Sequence, residues 1–436
     1  MPNPRSRLLF ALGLSALLGG LAGWGVVAYM KQNSAQPAAD LSNARVVSDI
    51  ALEYEPTPIG ASIESLGRPM VTNVQVFDLD QDGREDVLYC ESSTNTVRWI
   101  RQTNRGEFDE IIIGENLPGP AHVWAADIYA NGRLDVLVAS MGQVMPNNDR
   151  IGAVIVLENL DNRTFNPRII LQNVARVTDV RAANLTDHAD GRLDLVVGQF
   201  GYDQGETQWL ENHGNWQFTG HRVNSQSGTV HTPVADFDGD GRPEFAALIS
   251  QEWEEVHVFT NQGNGTFDES LVWGSTNEDF GSSGMKVGDL NQDGRPDLLI
   301  SNGDGFDYSV RGPRQWHGLQ WLENRGQGEF TYHRIGDMPG AYAPSPADLN
   351  GDGALDLVAT SGFGDWSNPE SVSLVAWIND GRQNFTPVTL ALSPIQLMTA
   401  DVGDLDGNGV PVIVTGGFHA FPPYDKMSNI TLWRRR

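Results

Sequence analysis

An acidic nine-residue segment recurs along the chain, and its clearest copy runs from Asp289 to Asp297. Acidic or amide side chains stand at its positions 1, 3 and 5, a glycine at position 6 and a carboxylate at position 9. Oxygen ligands at alternate positions are typical of a calcium-binding loop, and the glycine allows the backbone to turn sharply beneath the ion. Position 12 is Ile300 rather than glutamate, which excludes an EF-hand. The apolar run 298–300 instead predicts a short buried strand directly after the loop.

Seven copies of this segment occur, and four of them keep every ligand position. The intact copies begin at Asp78, Asp236, Asp289 and Asp348. Three copies are degraded. The copy at Asp127 has a tyrosine at position 3, and the copy at Asn184 has two extra residues around a histidine. The copy at Asp404 has a valine at position 9. Successive copies start 49 to 59 residues apart. A repeat of this length is typical of a propeller or another repeat array.

These loops resemble the FG-GAP/VCBS repeat family, the repeats of integrin-α-like β-propellers, over roughly residues 45–433. The resemblance implies an all-β domain over residues 45–436, a seven-bladed β-propeller of four-stranded blades. It also implies a structural role for Ca²⁺, which would pin the hairpin between the first and second strands of a blade. Function stays open, because the family includes adhesion modules, lectin-like domains and parts of enzymes.

The predicted calcium ligands are the side chains of positions 1, 3, 5 and 9 and the backbone carbonyl of position 7 in each intact loop. In the first two loops they are Asp78, Asp80, Asp82, Arg84 and Asp86, and Asp236, Asp238, Asp240, Arg242 and Glu244. In the other two they are Asp289, Asn291, Asp293, Arg295 and Asp297, and Asp348, Asn350, Asp352, Ala354 and Asp356. The three degraded loops are expected to bind calcium weakly or not at all.

The strand pattern of one repeat predicts how the ring closes. A third strand often ends in asparagine, and a phenylalanine opens the fourth strand in six of the repeats. The last repeat ends after its third strand, so a segment from elsewhere must complete it. We expect the strand-like segment 45–52 to do so and thereby remove the open sheet edges. The repeated tryptophans and phenylalanines are expected to pack between blades rather than to form a sugar platform.

The charge balance excludes one class of partner. The net charge is −27, with 56 acidic and 29 basic residues. Nucleic-acid binding requires a basic surface, so neither DNA nor RNA is an expected ligand. No Walker loop is present, which argues against a nucleotide. The only cysteine is Cys90, so no intrachain disulfide can form and cysteine use does not reveal the compartment.

The N-terminal residues 1–31 predict a membrane or export segment. Arg5 and Arg7 precede an uncharged run from Leu8 to Met30, and Lys31 follows it. The run is long enough to span a bilayer, which favours an uncleaved transmembrane helix over a cleaved signal helix. Either helix places the propeller outside the cytoplasm, because the positive end stays inside. Residues 32–44 are predicted to be a polar tether, which makes the membrane itself one partner.

Aromatic and acidic loops between second and third strands are the predicted ligand-binding region. Strand alternation places these loops on the face opposite the acidic loops, where long loops on a rigid scaffold often carry function. The candidate ligand-binding residues are Tyr202, Trp253, Phe306, Tyr308, Phe363, Trp366 and Phe418. A non-catalytic binding module for a glycan or a protein is the leading interpretation. Loops that simply pack on themselves are an equally compatible alternative.

An enzyme remains the second interpretation. Some polysaccharide lyases use calcium-bearing propellers with histidine and tyrosine as acid and base, and His122, His231 and Tyr342 are the candidates here. The histidines are also compatible with a simple lining of the central channel. The chain contains only three lysines to neutralise an acidic sugar, which favours binding over catalysis.

Overall fold

Seven antiparallel β-sheets follow one another around a ring in the computed structural model, which describes residues 50–436. The first strand of each sheet contacts the first strands of its two neighbours, and these contacts continue from the seventh sheet back to the first. The predicted seven-bladed propeller of four-stranded blades is therefore confirmed. Strands of a blade follow chain order from the central channel to the rim, except in blade 7.

The described part of the chain starts with β1 (Tyr54–Ile59) and the short helix α1 (Ile63–Leu66). Blade 1 contains β2 (Val71–Phe77), β3 (Asp86–Glu91), β4 (Thr96–Asn104) and β5 (Glu107–Gly114). Blade 2 contains β6 (Pro120–Ala126), β7 (Asp135–Ser140), β8 (Gly152–Asn159) and β9 (Phe165–Val174). Blade 3 contains β10 (Arg176–Ala183), β11 (Asp194–Phe200), β12 (Thr207–Asn212) and β13 (Phe218–Asn224).

In blade 4 the first strand is interrupted and forms two short pieces. This blade contains β14 (Thr229–His231), β15 (Val234–Ala235), β16 (Glu244–Ile249), β17 (Glu255–Gly263) and β18 (Thr266–Gly274). Blade 5 contains β19 (Ser282–Gly288), β20 (Asp297–Asn302), β21 (Gly318–Gly326) and β22 (Glu329–Asp337). Blade 6 contains β23 (Ala341–Ala347), β24 (Asp356–Ser361), β25 (Leu374–Asn379) and β26 (Phe385–Ala391). Blade 7 contains β27 (Leu397–Gly403), β28 (Val412–Gly417), β29 (Ile430–Arg435) and β1.

The N-terminal predictions fall outside the described residues. This applies to the transmembrane or signal helix at Leu8–Met30, to the tether at residues 32–44 and to residues 45–49. Within residues 50–436, no helix combines the length and the apolar character needed to cross a bilayer.

The start of the propeller completes blade 7, as predicted, but a different segment does so. β1 pairs antiparallel with β29, in a register that runs from Tyr54 opposite Arg435 to Ile59 opposite Ile430. The predicted position of this strand, residues 45–52, is wrong. Leu52 packs against the core of blade 7 ahead of β1 and is not part of a strand.

Two prolines explain why the sequence pattern missed β1. Pro56 and Pro58 lie inside the strand, opposite Trp433 and Thr431 of β29. Proline donates no backbone hydrogen bond and is therefore confined to edge strands and strand starts. Backbone N–H groups of successive residues in a strand point to opposite edges of that strand. Two prolines two residues apart therefore remove N–H groups from the same edge and leave the other edge free to pair with β29. β1 is the outer strand of its blade, so it needs only that one side.

Six of the seven loops have a carboxylate at position 9, which is buried at the start of the second strand. Asp297 accepts hydrogen bonds from the N–H of Leu290 at position 2 of its loop (3.0 Å) and from the N–H of Asn324 on the third strand (2.8 Å). The same two bonds are made by Asp86, Asp194 and Asp356. Blade 7 has Val412 at this position, and its side chain cannot accept either bond.

The asparagine of the third strand links its blade to the preceding one. Asn324 Nδ2 donates to the carbonyl of Phe237 in the loop of blade 4 (2.8 Å). Equivalent bonds are made by Asn261 and Asn379. In blade 1, Gln102 takes this place and donates to the carbonyl of Leu405 in blade 7 (2.9 Å). The repeated amide is therefore a connection between neighbouring loops.

Aromatic side chains of the third and fourth strands pack between blades, as predicted. Trp99 of blade 1 meets Phe165 of blade 2 edge-on, with ring centroids 6.4 Å apart. Trp209 of blade 3 meets Phe267 of blade 4 in the same way at 5.9 Å. Trp99 and Trp209 are buried, so these rings are interior packing and not a platform for sugars.

Residues at equal distances before the acidic loops lie at one level of the central channel, because the first strands are aligned around it. Three residues before the loop, blade 5 has Lys286, blade 6 has Ser345 and blade 7 has Asp401. Lys286 Nζ donates to Asp401 Oδ1 (2.8 Å), Ser345 Oγ (2.9 Å) and the carbonyl of Ala400 (3.1 Å). One ammonium group therefore connects three blades.

A buried carboxylate makes the corresponding connection on the other side of the channel. Asp179 of blade 3 accepts hydrogen bonds from Arg181 Nε (3.0 Å) and from the N–H of Thr232 in blade 4 (2.8 Å), and His122 Nδ1 of blade 2 lies 3.1 Å from it. Burial alone would raise the pKa of Asp179, but Arg181 and His122 outweigh burial and hold this pKa well below its usual value. Asp179 is therefore an anion that joins blades 2, 3 and 4.

The closure of the ring can be tested by truncation. A chain that begins at residue 61 lacks β1 and removes Leu52 from the core of blade 7, which costs about 1.5–3 kcal/mol for this side chain alone and leaves β29 as an open edge. We expect a lower melting temperature and association through that edge, measured by calorimetry and size-exclusion chromatography. A chain that begins at residue 50 keeps β1 and serves as the control. Equal melting temperatures for the two chains would contradict the closure.

The buried carboxylate of the channel can be tested by Asp179→Asn. This change leaves Arg181 buried without its anionic partner, and we expect it to lower the free energy of unfolding by roughly 3–5 kcal/mol, measured by denaturant titration. Because the folded-state pKa of Asp179 is depressed, the loss should be full at neutral pH and shrink as the pH falls below about 4.

The matched control for Asp179→Asn is Asp190→Asn, which removes an exposed pair with Arg192. Water and salt screen an exposed ion pair, so this variant should unfold almost like the parent chain. Similar losses in the two variants would show that Asp179 has no special role.

Candidate functional site

The acidic loops share one backbone turn, held by the carboxylate at position 1. Asp289 accepts hydrogen bonds from the N–H groups of Asp293 (3.0 Å) and Gly294 (2.9 Å). Gly294 has a φ of +84°, a conformation that other residues rarely adopt. The arginine at position 7 fastens the loop to the third strand, since Arg295 Nε donates to the carbonyl of Asn324 (2.7 Å). Equivalent arginines do the same in other blades, namely Arg84, Arg133 and Arg192.

The loop of blade 4 gathers four carboxylates around one point. Ligand oxygens of Asp236, Asp238, Asp240 and Glu244 all lie within 4.8 Å of one another. Glu244 Oε2 accepts the N–H of Phe237 (2.7 Å), whereas Oε1 is buried and has no partner among the residues that the structure describes. Burial raises the pKa of Glu244 to about 7. This donor set and the orphaned oxygen fit a hard divalent cation such as Ca²⁺.

In the loop of blade 1, a side chain of the protein lies among the predicted ligands. Carboxylate oxygens of Asp78, Asp80 and Asp86 converge within 4.8 Å of one another. Arg101 of the third strand reaches this loop and pairs with Asp80 (2.5 Å) and Asp82 (2.8 Å). Its guanidinium group therefore competes with a metal ion for two of the predicted ligands.

The intact loops of blades 5 and 6 place their position-3 amides against position 5. Asn291 Nδ2 donates to Asp293 Oδ2 (2.9 Å), and Asn350 Nδ2 donates to Asp352 Oδ2 (2.8 Å). Asn291 also donates to Glu323 of the third strand (2.9 Å), which brings another carboxylate to the loop of blade 5. In both loops the amide therefore already donates a hydrogen bond to a second predicted ligand.

Side chains of the degraded loops are engaged in contacts within the protein. In blade 3, His188 Nε2 lies 2.9 Å from Asp194 Oδ1. In blade 7, Arg434 Nε lies 2.9 Å from Asp406 Oδ2. In blade 2, Tyr129 turns away from its loop and accepts an N–H from blade 3. These contacts explain how a loop that has lost metal ligands can keep its fold.

The face opposite the acidic loops contains a cavity of about 210 Å³, which we call the mouth cavity. Its walls are the starts of the first strands and the loops between second and third strands. A second cavity of about 420 Å³ lies toward the acidic loops. Arg181 and Lys286 line both cavities, so the polar layer to which they belong divides the channel.

The predicted aromatic residues of this face do not all offer open rings. Tyr202 and Trp253 are exposed, at 37% and 42%. Phe363 and Phe418, in contrast, are buried, at 3% and 1% exposed. Both pack edge-on against Phe306, with centroids 5.1 and 5.7 Å from its ring. Part of the predicted binding surface is therefore an apolar plug that supports the loops.

Two further predicted residues are half-buried. The ring of Tyr308 lies under the guanidinium of Arg314, 3.8 Å from its centroid, and its hydroxyl donates to the carbonyl of Asp279 (2.9 Å). Trp366 lies against the backbone of Gly364 in its own loop. Both rings thus use at least part of their surface for packing within the loops.

Hydrogen bonds between loops hold the exposed rings in place. The hydroxyl of Tyr202 in blade 3 donates to Asp307 of blade 5 (2.7 Å), which spans the loop of blade 4. Glu254 is buried beside Trp253, and its carboxylate accepts the N–H groups of residues 281 and 282 (3.2 and 3.1 Å). The loops around the mouth cavity therefore form a connected collar.

All three residues of the enzyme alternative line the mouth cavity. His122 Nε2 lies 2.9 Å from Arg181 Nη2 and must accept, because a guanidinium only donates. Burial lowers the pKa of His122 well below its usual value. The Tyr342 hydroxyl donates to Asp304 Oδ1 (3.0 Å), and burial raises the pKa of Tyr342. Thus His122 and Tyr342 are already engaged, whereas His231 is the more accessible member of the set.

Sequence reasoning missed Arg176, the cationic residue at the wall of the mouth cavity. Its signal lies in the alignment of the repeats. Arg176 stands eight residues before its acidic loop, where four other repeats have glycine, at Gly119, Gly228, Gly281 and Gly340. The other two repeats have Met70 and Gln396 at this position, so blade 3 is the one blade with a cation there.

Comparison with known families finds the FG-GAP-like repeat at residues 78–138, 189–247, 236–300 and 302–359, which together make up more than half of the chain. A comparison with curated proteins found no match. Among solved structures, the chain is similar to BBS1N in two crystal structures of its complex with ARL6DN, soaked with lead and with mercury. The TM-scores are 0.52 and 0.53 at 9% and 10% identity, and each match covers 87% of this chain and 96% of BBS1N. At this identity the likeness concerns the fold alone. On the evidence of the matched repeats, the chain belongs to the FG-GAP-like repeat family.

Proposed function

We propose that this protein is an exported, membrane-anchored and calcium-stabilised propeller that acts as a non-catalytic binding module for a glycan or a protein. The observation that carries this proposal is the mouth cavity with its collar of loops, from which Tyr202 and Trp253 are exposed. Large aromatic side chains on a rigid scaffold are typical of binding surfaces and lose little entropy when a ligand binds.

The chemistry of the collar suits a ligand with both apolar patches and hydrogen-bond donors. Ring faces stack on the apolar sides of sugars or on apolar side chains. Carboxylates near the exposed rings, such as Asp203 and Asp307, accept hydrogen bonds from hydroxyl groups or pair with basic residues. Bonds such as that from Tyr202 to Asp307 hold the collar before the ligand arrives.

Calcium would act on the other face, as a stabiliser of the fold. The convergence of Asp236, Asp238, Asp240 and Glu244 supports binding in blade 4 most directly. We expect the loops of blades 5 and 6 to bind calcium as well. In blade 1, Arg101 should weaken calcium binding because it pairs with two of the predicted ligands. A bound ion would neutralise repulsion between the carboxylates of each loop and fasten the first strand to the second.

Export and anchoring rest on the N-terminal charge pattern. Arg5 and Arg7 before the uncharged run Leu8–Met30 favour an orientation with the propeller outside the cytoplasm. In this arrangement the membrane is a partner and the tether at residues 32–44 separates it from the propeller.

An extracytoplasmic polysaccharide lyase is the second candidate, because His122, His231 and Tyr342 line one cavity together with Arg176. A lyase needs an acid, a base and a cation within reach of one acidic sugar. Accumulation of unsaturated sugar products, absent in His231→Ala, would assign the enzyme function. Binding without product formation would assign the binding module.

The calcium proposal predicts a chelator effect. Removing calcium should lower the melting temperature, because a single site contributes about 2.7 kcal/mol when the ion is present at 100 times its Kd. Asp240→Asn should reduce this shift, measured by calorimetry with and without chelator. Asp406→Asn is the matched control, because Asp406 already pairs with Arg434 and its loop has lost position 9. A melting temperature that does not respond to the chelator would refute the proposal.

The binding face can be tested with two double variants. Tyr202→Ala with Trp253→Ala removes the exposed rings of the collar, and Leu160→Ala with Val410→Ala removes exposed apolar side chains on the acidic-loop face. After a glycan-array and protein-array screen identifies a ligand, we expect the first variant to bind it at least about tenfold more weakly and the second to bind it normally. The reverse result, in folded proteins, would place the ligand on the other face.

A further inference from the structure

Arg176 is a buried cation at the wall of the mouth cavity. It is the first residue of β10 and is 1% exposed. Four other repeats have glycine at the equivalent position, so a blade can fold without a long side chain there. Its presence in blade 3 alone points to a role in the cavity.

One edge of the Arg176 guanidinium is without a partner. Nη1 donates to the carbonyl of Val144 (3.1 Å), and the group lies over the ring of Phe200 at 4.7 Å from its centroid. Nε and Nη2 are buried and have no hydrogen-bond partner among residues 50–436. These two nitrogens form the edge that pairs with both oxygens of a carboxylate in side-on geometry.

The acidic residues of the cavity do not satisfy this edge, because they make other bonds. Asp304 accepts the hydroxyl of Tyr342 (3.0 Å), and Asp307 accepts the hydroxyl of Tyr202 (2.7 Å). Burial lowers the pKa of Arg176 to about 10, so the group stays charged at neutral pH. A buried charge with two unpaired donors is unfavourable unless a partner reaches it.

The dimensions and walls of the cavity indicate what the partner can be. A volume of about 210 Å³ is below the roughly 300–1,000 Å³ of sites for drug-sized ligands, so the cavity takes one residue-sized group. Phe200, Phe306 and Met398 supply apolar walls, and Asn73, Gln75 and Ser282 supply neutral polar groups. This lining suits a small ring that carries hydroxyl groups.

We propose that the mouth cavity binds the carboxylate of a sugar acid, with Nε and Nη2 of Arg176 paired to its two oxygens. The proposal rests on the proposed function and specifies the group that the binding module recognises. Asp304 and Asp307 line the same cavity, so a singly charged carboxylate is favoured over a doubly charged phosphate. The sugar acid can be free or can be the terminal residue of a glycan.

Titration calorimetry on the full-length chain in detergent tests the proposal. The probes are glucuronate, a glucuronate-terminated oligosaccharide, glucose and inorganic phosphate. We expect glucuronate to bind at least about tenfold more tightly than glucose or phosphate. Tighter binding of the oligosaccharide identifies a chain end as the ligand, and equal binding identifies the free acid.

Three variants separate recognition from folding. Arg176→Met should weaken glucuronate binding at least about tenfold, and Arg176→Lys should weaken it less, because lysine keeps the charge but loses the two-donor edge. Arg150→Met removes an exposed arginine of the same face and should bind normally. The melting temperature of Arg176→Met should equal or exceed that of the parent, because a buried, unpaired charge is replaced by an apolar side chain.

Three outcomes would overturn the proposal. Glucuronate binding no tighter than glucose, unchanged binding in Arg176→Met, or a lower melting temperature in that variant without a binding defect would make Arg176 a structural residue. If a neutral glycan or a protein still binds at Tyr202 and Trp253, the proposed binding module survives the loss of this inference. If ligands bind only on the acidic-loop face, both fail.

Discussion

The buried carboxylate at position 9 of the loop holds six of the seven blades together. It accepts N–H groups from the loop and from the third strand, as Asp297 does with Leu290 and Asn324. A buried N–H without a partner costs about 1–3 kcal/mol, so loss of this side chain would affect two strands at once. Blades 2 and 3 keep Asp135 and Asp194 at this position although other ligand positions of their loops have changed. In these two blades the carboxylate is therefore kept for its hydrogen bonds to the backbone.

Much of the architecture was predictable because the acidic loop marks the same structural position in every repeat. The spacing of seven loops predicted seven blades, and the residues counted back from each loop fall at common levels of the channel. In an alignment on these loops, His122, Asp179 and His231 stand five residues before the loop in three successive blades. Their contact through Asp179 follows from this alignment and could have been predicted from the sequence.

Other features depend on context that a local pattern does not contain. β1 was missed because its prolines look unfavourable until the strand is known to be an edge. Phe363 and Phe418 belong to aromatic loops predicted to bind a ligand, yet both rings pack against Phe306, and this contact joins the loops of three successive blades. Arg101 lies in β4, outside the acidic loop, and only the folded blade brings it to Asp80.

The two faces of the propeller have different electrostatic characters. Carboxylates dominate the loop face, whereas the mouth cavity is lined by Arg176, Arg181 and Lys286 together with Asp304 and Asp307. The layer that contains Lys286 and Asp401 lies between them. A metal ion bound in a loop would therefore be separated from a ligand in the mouth cavity by this layer and would not contact it directly.

The pairing of β1 with β29 has a consequence for biosynthesis. Tyr54 pairs with Arg435, so the contact that closes the ring joins residues at nearly the greatest separation available in the propeller. Blade 7 cannot form until β29 has left the ribosome, and until then β1 is an unpaired strand. The entropy of bringing its ends together grows only with the logarithm of the intervening length, and blades that have already stacked carry the ends toward each other. Chains that end before β29 leave β1 without a partner, and an unpaired strand edge favours aggregation.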